Sequence, residues 1–454
     1  MQASQLRARL TEGPVRHHLV RLTLPMIWGI LAMMAINATD TWFVAQLGAS
    51  ELAAMSFTFP VIMVLISLGI GMMAGTSSVL ARAIGRGDQA RARRLATDAS
   101  LLALLLSLGL TAAGLATIGP LFRLLGAGDA ILPLVYEYMS VWYAGFVCFL
   151  VPMVGMGAIR ATGDTRLQGG LMIGAAFLNL VLDPLLIFGW LGFPRLELQG
   201  AALATVLARA VMLLVGFWFI HFRFRMLTFA RPRPAEVWAS WRSVLHVGLP
   251  AAGTNVIIPA SLAVVVAMIA QSGAYAVAGF GVATRIEALA LVVFFAMSAI
   301  IGPFVGQNQG AGKCERVLEA MRESARFCIA LGLLIALGLG LAAAPLIRLF
   351  NDHPEVVAVG AAYLYIVPIS YGAAGIIMIA NAAFNGLGRP LPAVVLSLTR
   401  MVFLYLPLAW LGGRLFGTGG IFAAACTANL LVGAGAYLWN RRVCERYIAA
   451  EAKS

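Results

Sequence analysis

What this sequence has little of narrows its function first. Only 11% of its 454 residues are charged, whereas a soluble domain carries about 25%. That leaves too little polar surface to cover a soluble globule of this size, which excludes a soluble enzyme and a disordered chain alike. Acids are scarcer still, 19 against 32 Lys and Arg. No GxxxxGK[ST] loop and no HExxH occurs, so energy must come from an ion gradient or a partner rather than from built-in ATP hydrolysis. The five cysteines (Cys148, Cys314, Cys328, Cys426 and Cys444) form no CxxC or Cys/His cluster. They read as small buried hydrophobes, with neither a zinc site nor a disulfide framework.

What is present is apolar: 61% hydrophobic residues and a mean hydropathy of +0.91. This is the composition of an integral membrane protein. Residues 1–22 are polar and basic, and the apolar run from Leu22 to Val44 is too long for a cleavable signal, so it reads as a first spanning helix. A span needs about 20 largely apolar residues. Twelve such segments are expected, roughly at 22–45, 53–80, 96–121, 131–157, 168–190, 199–220, 243–270, 278–304, 323–346, 357–383, 392–412 and 419–440. With the N-terminus inside, 24 of the 32 Lys and Arg fall on the inner side and four on the outer. That alternation predicts an even number of spans and two cytoplasmic termini. It also accounts for the net charge of +13 without a nucleic-acid partner.

The two halves repeat each other at an offset of 225. Leu24-Pro25 matches Leu249-Pro250, Gly85 and Gly87 match Gly310 and Gly312, Pro120-Leu121 matches Pro345-Leu346, Tyr138 matches Tyr363, and Gly163 matches Gly388. The expected fold is an all-α integral membrane protein of twelve transmembrane helices in two pseudo-symmetric six-helix lobes. The lobes are 1–220 and 243–454, joined by a basic linker at 221–242. A repeat of this kind is a transporter signature, and Pro25 and Pro250 are candidate hinges in the opening helix of each lobe.

Ionisable groups inside a span cost several kcal/mol, about 3 on the insertion scale. Asp40, Asp183 and Glu287 are the deep acids. Asn37 lies one turn before Asp40 and Asn179 one turn before Asp183, so each amide shares a helical face with its acid. Pro184 frees a backbone carbonyl on the preceding turn. Thr205 follows Gly200-Ala201-Ala202, small residues that let helices approach closely. The positional equivalents of Asp40 and Asp183 in the second half are Val265 and Leu408. The functional reading is a carboxylate site inside the first lobe, holding a proton or a sodium ion on Asp40, Asn179, Asp183 and Thr205. The plain alternative is a set of hydrogen-bond anchors between helices. Arg209, Arg326 and Arg400 read as snorkelling or interhelical pairing, and Asp98 and Glu137 as reaching water.

These segments resemble those of the multidrug and toxic compound extrusion (MATE) transporters over about residues 15–445. The resemblance rests on Leu24-Pro25, on Asp40-Thr41 followed by Val44-Ala45-Gln46-Leu47-Gly48, and on Ala83-Ile84-Gly85-Arg86-Gly87-Asp88. It also rests on Arg160-Ala161-Thr162-Gly163-Asp164-Thr165, Asn179-Leu180-Val181-Leu182-Asp183-Pro184, Gly200-Ala201-Ala202-Leu203-Ala204-Thr205 and Ala283-Thr284-Arg285-Ile286-Glu287. Two further segments are Gly306-Gln307-Asn308-Gln309-Gly310-Ala311-Gly312 and Asn385-Gly386-Leu387-Gly388-Arg389-Pro390.

The resemblance implies a V-shaped, monomeric antiporter of the bacterial inner membrane. It would expel cationic, often aromatic drugs in exchange for protons or sodium and need no cofactor beyond that ion. It also implies that Tyr138 joins the network of Asp40, Asp183, Asn179 and Thr205, as in the DinF-like branch. The NorM-like branch places acids in the seventh and tenth helices, where this chain has Asn255 and Asn381. Coupling by second-lobe acids is thereby excluded. A flippase for lipid or lipid-linked precursors, of the same broader superfamily, is the alternative function. It would need a cationic cavity, for which Arg209, Arg285 and Arg400 are the candidates. A membrane-embedded enzyme would need a paired nucleophile and base or a metal cluster, and neither is visible.

Overall fold

The structure is a computed structural model and describes residues 8–228, 230–231 and 233–451. Arg7 and Lys453, counted above among the inner charges, lie outside the described residues, as do Phe229 and Pro232 of the linker. In chain order the first half is built of α1 (Val15–Ala45), α2 (Ala49–Gly85), α3 (Gln89–Leu124), α4 (Leu132–Ala144), α5 (Val147–Ala161), α6 (Thr165–Phe188) and α7 (Glu197–Trp218). The second half comprises α8 (Pro234–Ala270), α9 (Ala274–Ala290), α10 (Val292–Gly310), α11 (Cys314–Arg348), α12 (Pro354–Ile366), α13 (Tyr371–Gly386), α14 (Leu391–Leu398) and α15 (Leu406–Glu451).

Among the described residues, ten helical stretches are long and apolar enough to cross a membrane, and eleven with α4 and α5, which meet at a bend of 43°, taken as one span. One of these stretches runs 59 residues, Leu391–Ala449, about 90 Å at 1.5 Å per residue and three bilayer thicknesses. It therefore turns back. Gly417 takes φ 61 and ψ −146, a conformation that L side chains rarely adopt. A Cβ on Gly412 would meet the carbonyl of Gly420 at 2.6 Å. The two arms are the eleventh and twelfth expected spans. The eighth lies across α9 and α10, which abut at Leu291, and the tenth across α12 and α13.

The family-like loop segments have a local physical reason. Gly87 (φ 75) and Gly163 (φ 81) close α2 and α5 in the left-handed region. The next residue, an aspartate, caps the following helix. Asp88 accepts from the Arg91 amide at 2.9 Å and Asp164 from the Leu167 amide at 3.0 Å, satisfying amides that the first turn leaves open.

The chain divides into two compact units. The first runs from Leu24 to Ala252, and the second takes Leu10–Thr23 together with the chain from Gly253. The boundaries fall beside the two candidate hinges, one residue before Leu24-Pro25 and two after Pro250. In the second unit the Leu10 amide donates to Gln307 Oε1 at 3.1 Å, and the Lys313 ammonium donates to the Thr11 carbonyl at 3.0 Å. The expected linker belongs with the first unit. There the Thr228 amide donates to Thr97 Oγ1 at 3.0 Å, Arg223 pairs with Asp164 at 3.0 Å, and the Trp241 indole donates to the Asp98 carbonyl at 2.9 Å. Asp98, expected to reach water, is fully buried against Arg94 at 2.7 Å, while Glu137 is exposed.

Candidate functional site

Four helices of the first unit converge on the expected acids. α1 carries Asn37 and Asp40, α4 carries Tyr138, α6 carries Asn179 and Asp183, and α7 carries Thr205. Small residues set the register. A Cβ on Gly29 of α1 would meet Gly169 Cα of α6 at 3.1 Å, and one on Gly169 would meet the Pro25 carbonyl at 2.5 Å. From that contact Asp40 lies about 16 Å along α1 and Asp183 about 21 Å along α6, so the two acids reach similar heights. At the far end of α6, Gly200 lets α7 press against the Leu186 carbonyl.

The structure brings the expected residues together. The side chains of Asp40 and Asp183 lie at hydrogen-bonding range of each other, and Tyr138 is within electrostatic range of both. The Asn179 amide donates to Asp183 Oδ1 at 3.3 Å. Asp183 is fully buried, and Asn179 and Tyr138 nearly so. Asp40 and Thr205 are half-buried, and Asn37 is exposed. Asn37, Asp40, Asn179 and Thr205 share the lining of a cavity of about 90 Å³.

Three oxygens of this cluster are buried and have no hydrogen-bond donor among the described residues: Asp40 Oδ1, Asp183 Oδ2 and Asn179 Oδ1. Buried acceptors without donors are costly. Two carboxylates in contact repel, and one proton or one monovalent cation between them relieves that repulsion.

Two features of the cavity are clearer in the structure than in the sequence. Arg209, read as snorkelling or interhelical pairing and only otherwise as a candidate cation for a flippase cavity, lines the cavity one turn beyond Thr205, within electrostatic range of Asp40. Its guanidinium lies 4.5 Å from the centroid of the Phe149 ring. The i, i+4 spacing from Thr205 to Arg209 was the available signal. Met33, Met153, Met156, Met172 and Met212 supply much of the apolar lining. Thioether side chains repack readily around ligands of different shape, but nothing in the sequence singled out these five among nineteen methionines.

The second unit has a buried polar centre of its own. The Tyr363 hydroxyl donates to Glu287 Oε2. Arg400, Tyr371 and Tyr405 lie within electrostatic range of the same carboxyl. Arg400 and Tyr405 sit on a π-helical turn, Thr399–Tyr405, a distortion often found at functional positions. Phe280, Tyr363 and Phe422 pack their rings around the centre at 5.0 to 6.2 Å. Arg285 is exposed, apart from this buried cluster. Of the amides in the seventh and tenth spans, Asn381 donates to Ser397 Oγ at 3.2 Å.

Duplicated sets of bilayer-length apolar helices, each with acids at a polar centre of its own, define a multi-pass membrane protein with the organisation of a transporter. Comparison with known proteins names the kind. The MatE family pattern matches residues 25–185 and again 250–411, two segments that begin 225 residues apart. The chain is 40% identical over 439 residues to a FAD transporter of Shewanella oneidensis, covering 97% of each chain. It is 27% identical over 414 residues to a probable multidrug resistance protein of Thermotoga maritima, covering 89% of this chain and 87% of that one. Its fold matches the bent form of a Vibrio cholerae MATE transporter with a TM-score of 0.90 at 31% identity, over 95% of this chain and 98% of that one. The chain belongs to the MATE family.

Proposed function

We propose that this chain is a secondary antiporter that exports an amphipathic aromatic solute in exchange for one inward proton, the proton being carried by Asp40 and Asp183. The observation that carries the coupling is the set of undonated oxygens on Asp40, Asp183 and Asn179 beside the 90 Å³ cavity. Two carboxylates and one guanidinium leave a single negative charge, which one proton neutralises. Sodium on Asp40, Asn179, Asp183 and Thr205 is the competing choice of ion. The proton is favoured because two of the three acceptors without donors belong to carboxyl groups already in contact. Pro25 and Pro250, beside the unit boundaries, serve as the hinges of alternating access.

For the solute we propose a flavin dinucleotide, on the strength of 40% identity along nearly the whole of a FAD transporter. Arg209 gives the first-lobe cavity a fixed cation for such an anionic solute, and the cavity, about 90 Å³ here, would have to widen among its methionines to admit the ring system. A second reading, expulsion of cationic aromatic drugs, is favoured by the carboxyl pair. The surplus of Lys and Arg on one side supports a place in the bacterial inner membrane with both termini cytoplasmic, and the monomer rests on the family resemblance alone.

The test loads proteoliposomes with FAD or with ethidium and follows release under a pH or a sodium gradient. Gradient-driven release of FAD supports the first reading and release of ethidium alone the second. Release of neither, with transfer of a labelled lipid, points to a flippase.

A further inference from the structure

The second unit carries a crevice that takes no part in the transport mechanism above. It opens between α11, α13 and α15, with a volume of about 810 Å³, inside the range of ligand sites. Its two ends differ in chemistry. At one end stand Arg322, Arg326 and Arg441, with Tyr437 beside them. At the other the lining is Ile329, Leu333, Ile369, Ile376 and Leu430 over a floor of small residues.

The polarity follows from the helices. Arg322 and Arg326 are one turn apart on α11, eight and twelve residues after its start, and Arg441 is ten residues before the end of α15. All three are exposed. Arg326 pairs with Glu323 at 2.9 Å and Arg441 with Glu445 at 2.7 Å, and both pairs are open to solvent. Arg322 has no ion pair within 4.0 Å among the described residues. The cluster keeps a net positive charge with these two carboxylates counted. From Arg322 to Leu333, α11 rises about 16 Å, close to the depth of one leaflet, half of a ~30 Å hydrocarbon core. Along that rise Ile329 and Leu333 are more than half exposed, as is Ile369 on the facing segment. On a spanning helix such side chains meet acyl chains.

We propose that this crevice is a binding site for an anionic phospholipid of the inner leaflet. Arg322 and Arg441 hold the phosphate, Arg326 flanks it, and one acyl chain lies along Ile329, Leu333 and Ile369. Charge complementarity selects the occupant: a zwitterionic lipid gains less from the net positive charge of this cluster, and a soluble anion leaves the apolar end of the crevice unfilled. Basic pockets between spans at a membrane surface are suited to such headgroups. The site is independent of the ion and solute assigned above, because none of its residues lines the first-lobe cavity.

The test titrates the full-length purified protein with phosphatidylglycerol or phosphatidylcholine and counts bound lipids by native mass spectrometry. Phosphatidylglycerol should be preferred, and each arginine removed should weaken its binding roughly fivefold. Arg322→Gln with Arg441→Gln should abolish the preference. Ala434→Trp, at an exposed lining position, should block the acyl path and weaken both lipids. Equal binding of the two lipids by the wild type, or an unchanged preference in the double variant, overturns the proposal. Displacement by inorganic phosphate at lipid concentrations overturns it too, since it shows that the apolar part contributes nothing.

Discussion

The two lobes carry the same tyrosine at repeat-related positions, and they use it differently. Tyr138 stands beside two acids, Asp40 from α1 and Asp183 from α6. Tyr363 donates to a single acid, Glu287 from α9, with Arg400 close by. At the offset of 225, Glu287 stands where the first lobe has Ile62. The duplicated scaffold has therefore kept its aromatic position and moved its carboxyls. The first-lobe centre is acceptor-rich: three buried oxygens lack donors and a cavity adjoins them. The second-lobe carboxyl has its donor, and Arg400 Nε and the Tyr371 hydroxyl are the groups left unpartnered among the described residues. A site short of donors is suited to taking up a proton. A site with donors to spare is suited to holding its shape or an acceptor.

Six substitutions would break or sharpen this contrast. The largest effect belongs to the first-lobe acids. Asp40→Asn or Asp183→Asn should lower gradient-driven export roughly a hundredfold, with monodisperse protein still recovered from membranes. Export assays on proteoliposomes with matched protein content check this. Next comes Arg209→Gln, which should raise the KM for FAD roughly tenfold and leave ethidium unaffected. Equal loss for both solutes would make Arg209 a structural partner of Phe149 rather than a recognition group. Glu287→Gln should slow export by roughly fivefold or less while leaving its dependence on the gradient intact. A Glu287→Gln protein that transports without regard to the gradient would move coupling to the second lobe. The smallest effect belongs to the paired tyrosines. Tyr363→Phe removes the donor to Glu287 and should cost about 1–2 kcal/mol, while Tyr138→Phe, with no such bond, should cost less than about 1 kcal/mol. Thermal unfolding of the solubilised variants checks the order.

The spans were legible in the sequence because a bilayer imposes length and polarity on every crossing helix, and the arginines record the sides. The repeat was legible through the glycines that must close a helix, Gly87 and Gly163 with their equivalents Gly312 and Gly388, all four at positive φ, although the capping Asp88 and Asp164 give way to Lys313 and Arg389. Asp40, Asn179 and Asp183 stood out because buried charge is expensive enough to need a reason. Arg209 did not, since an arginine inside a span can equally snorkel, and only helix rotation decides. The Glu287 cluster joins residues 76 or more positions from Glu287, and no local pattern pairs them. The transfer of Leu10–Thr23 to the second unit was equally hidden, being fixed by hydrogen bonds to Gln307 and Lys313. The breaks at Leu291 and Gly417 interrupt helices without altering their apolar composition.

The central claim is that coupling resides on the Asp40–Asp183 pair. The most direct test is FAD release from proteoliposomes of the wild type, Asp40→Asn and Asp183→Asn, with the outer solution made acidic and sodium held equal on both sides. The account predicts rapid release from the wild type and none above the protein-free background from either variant. Release by Asp40→Asn at the wild-type rate, still dependent on the pH gradient, would contradict it.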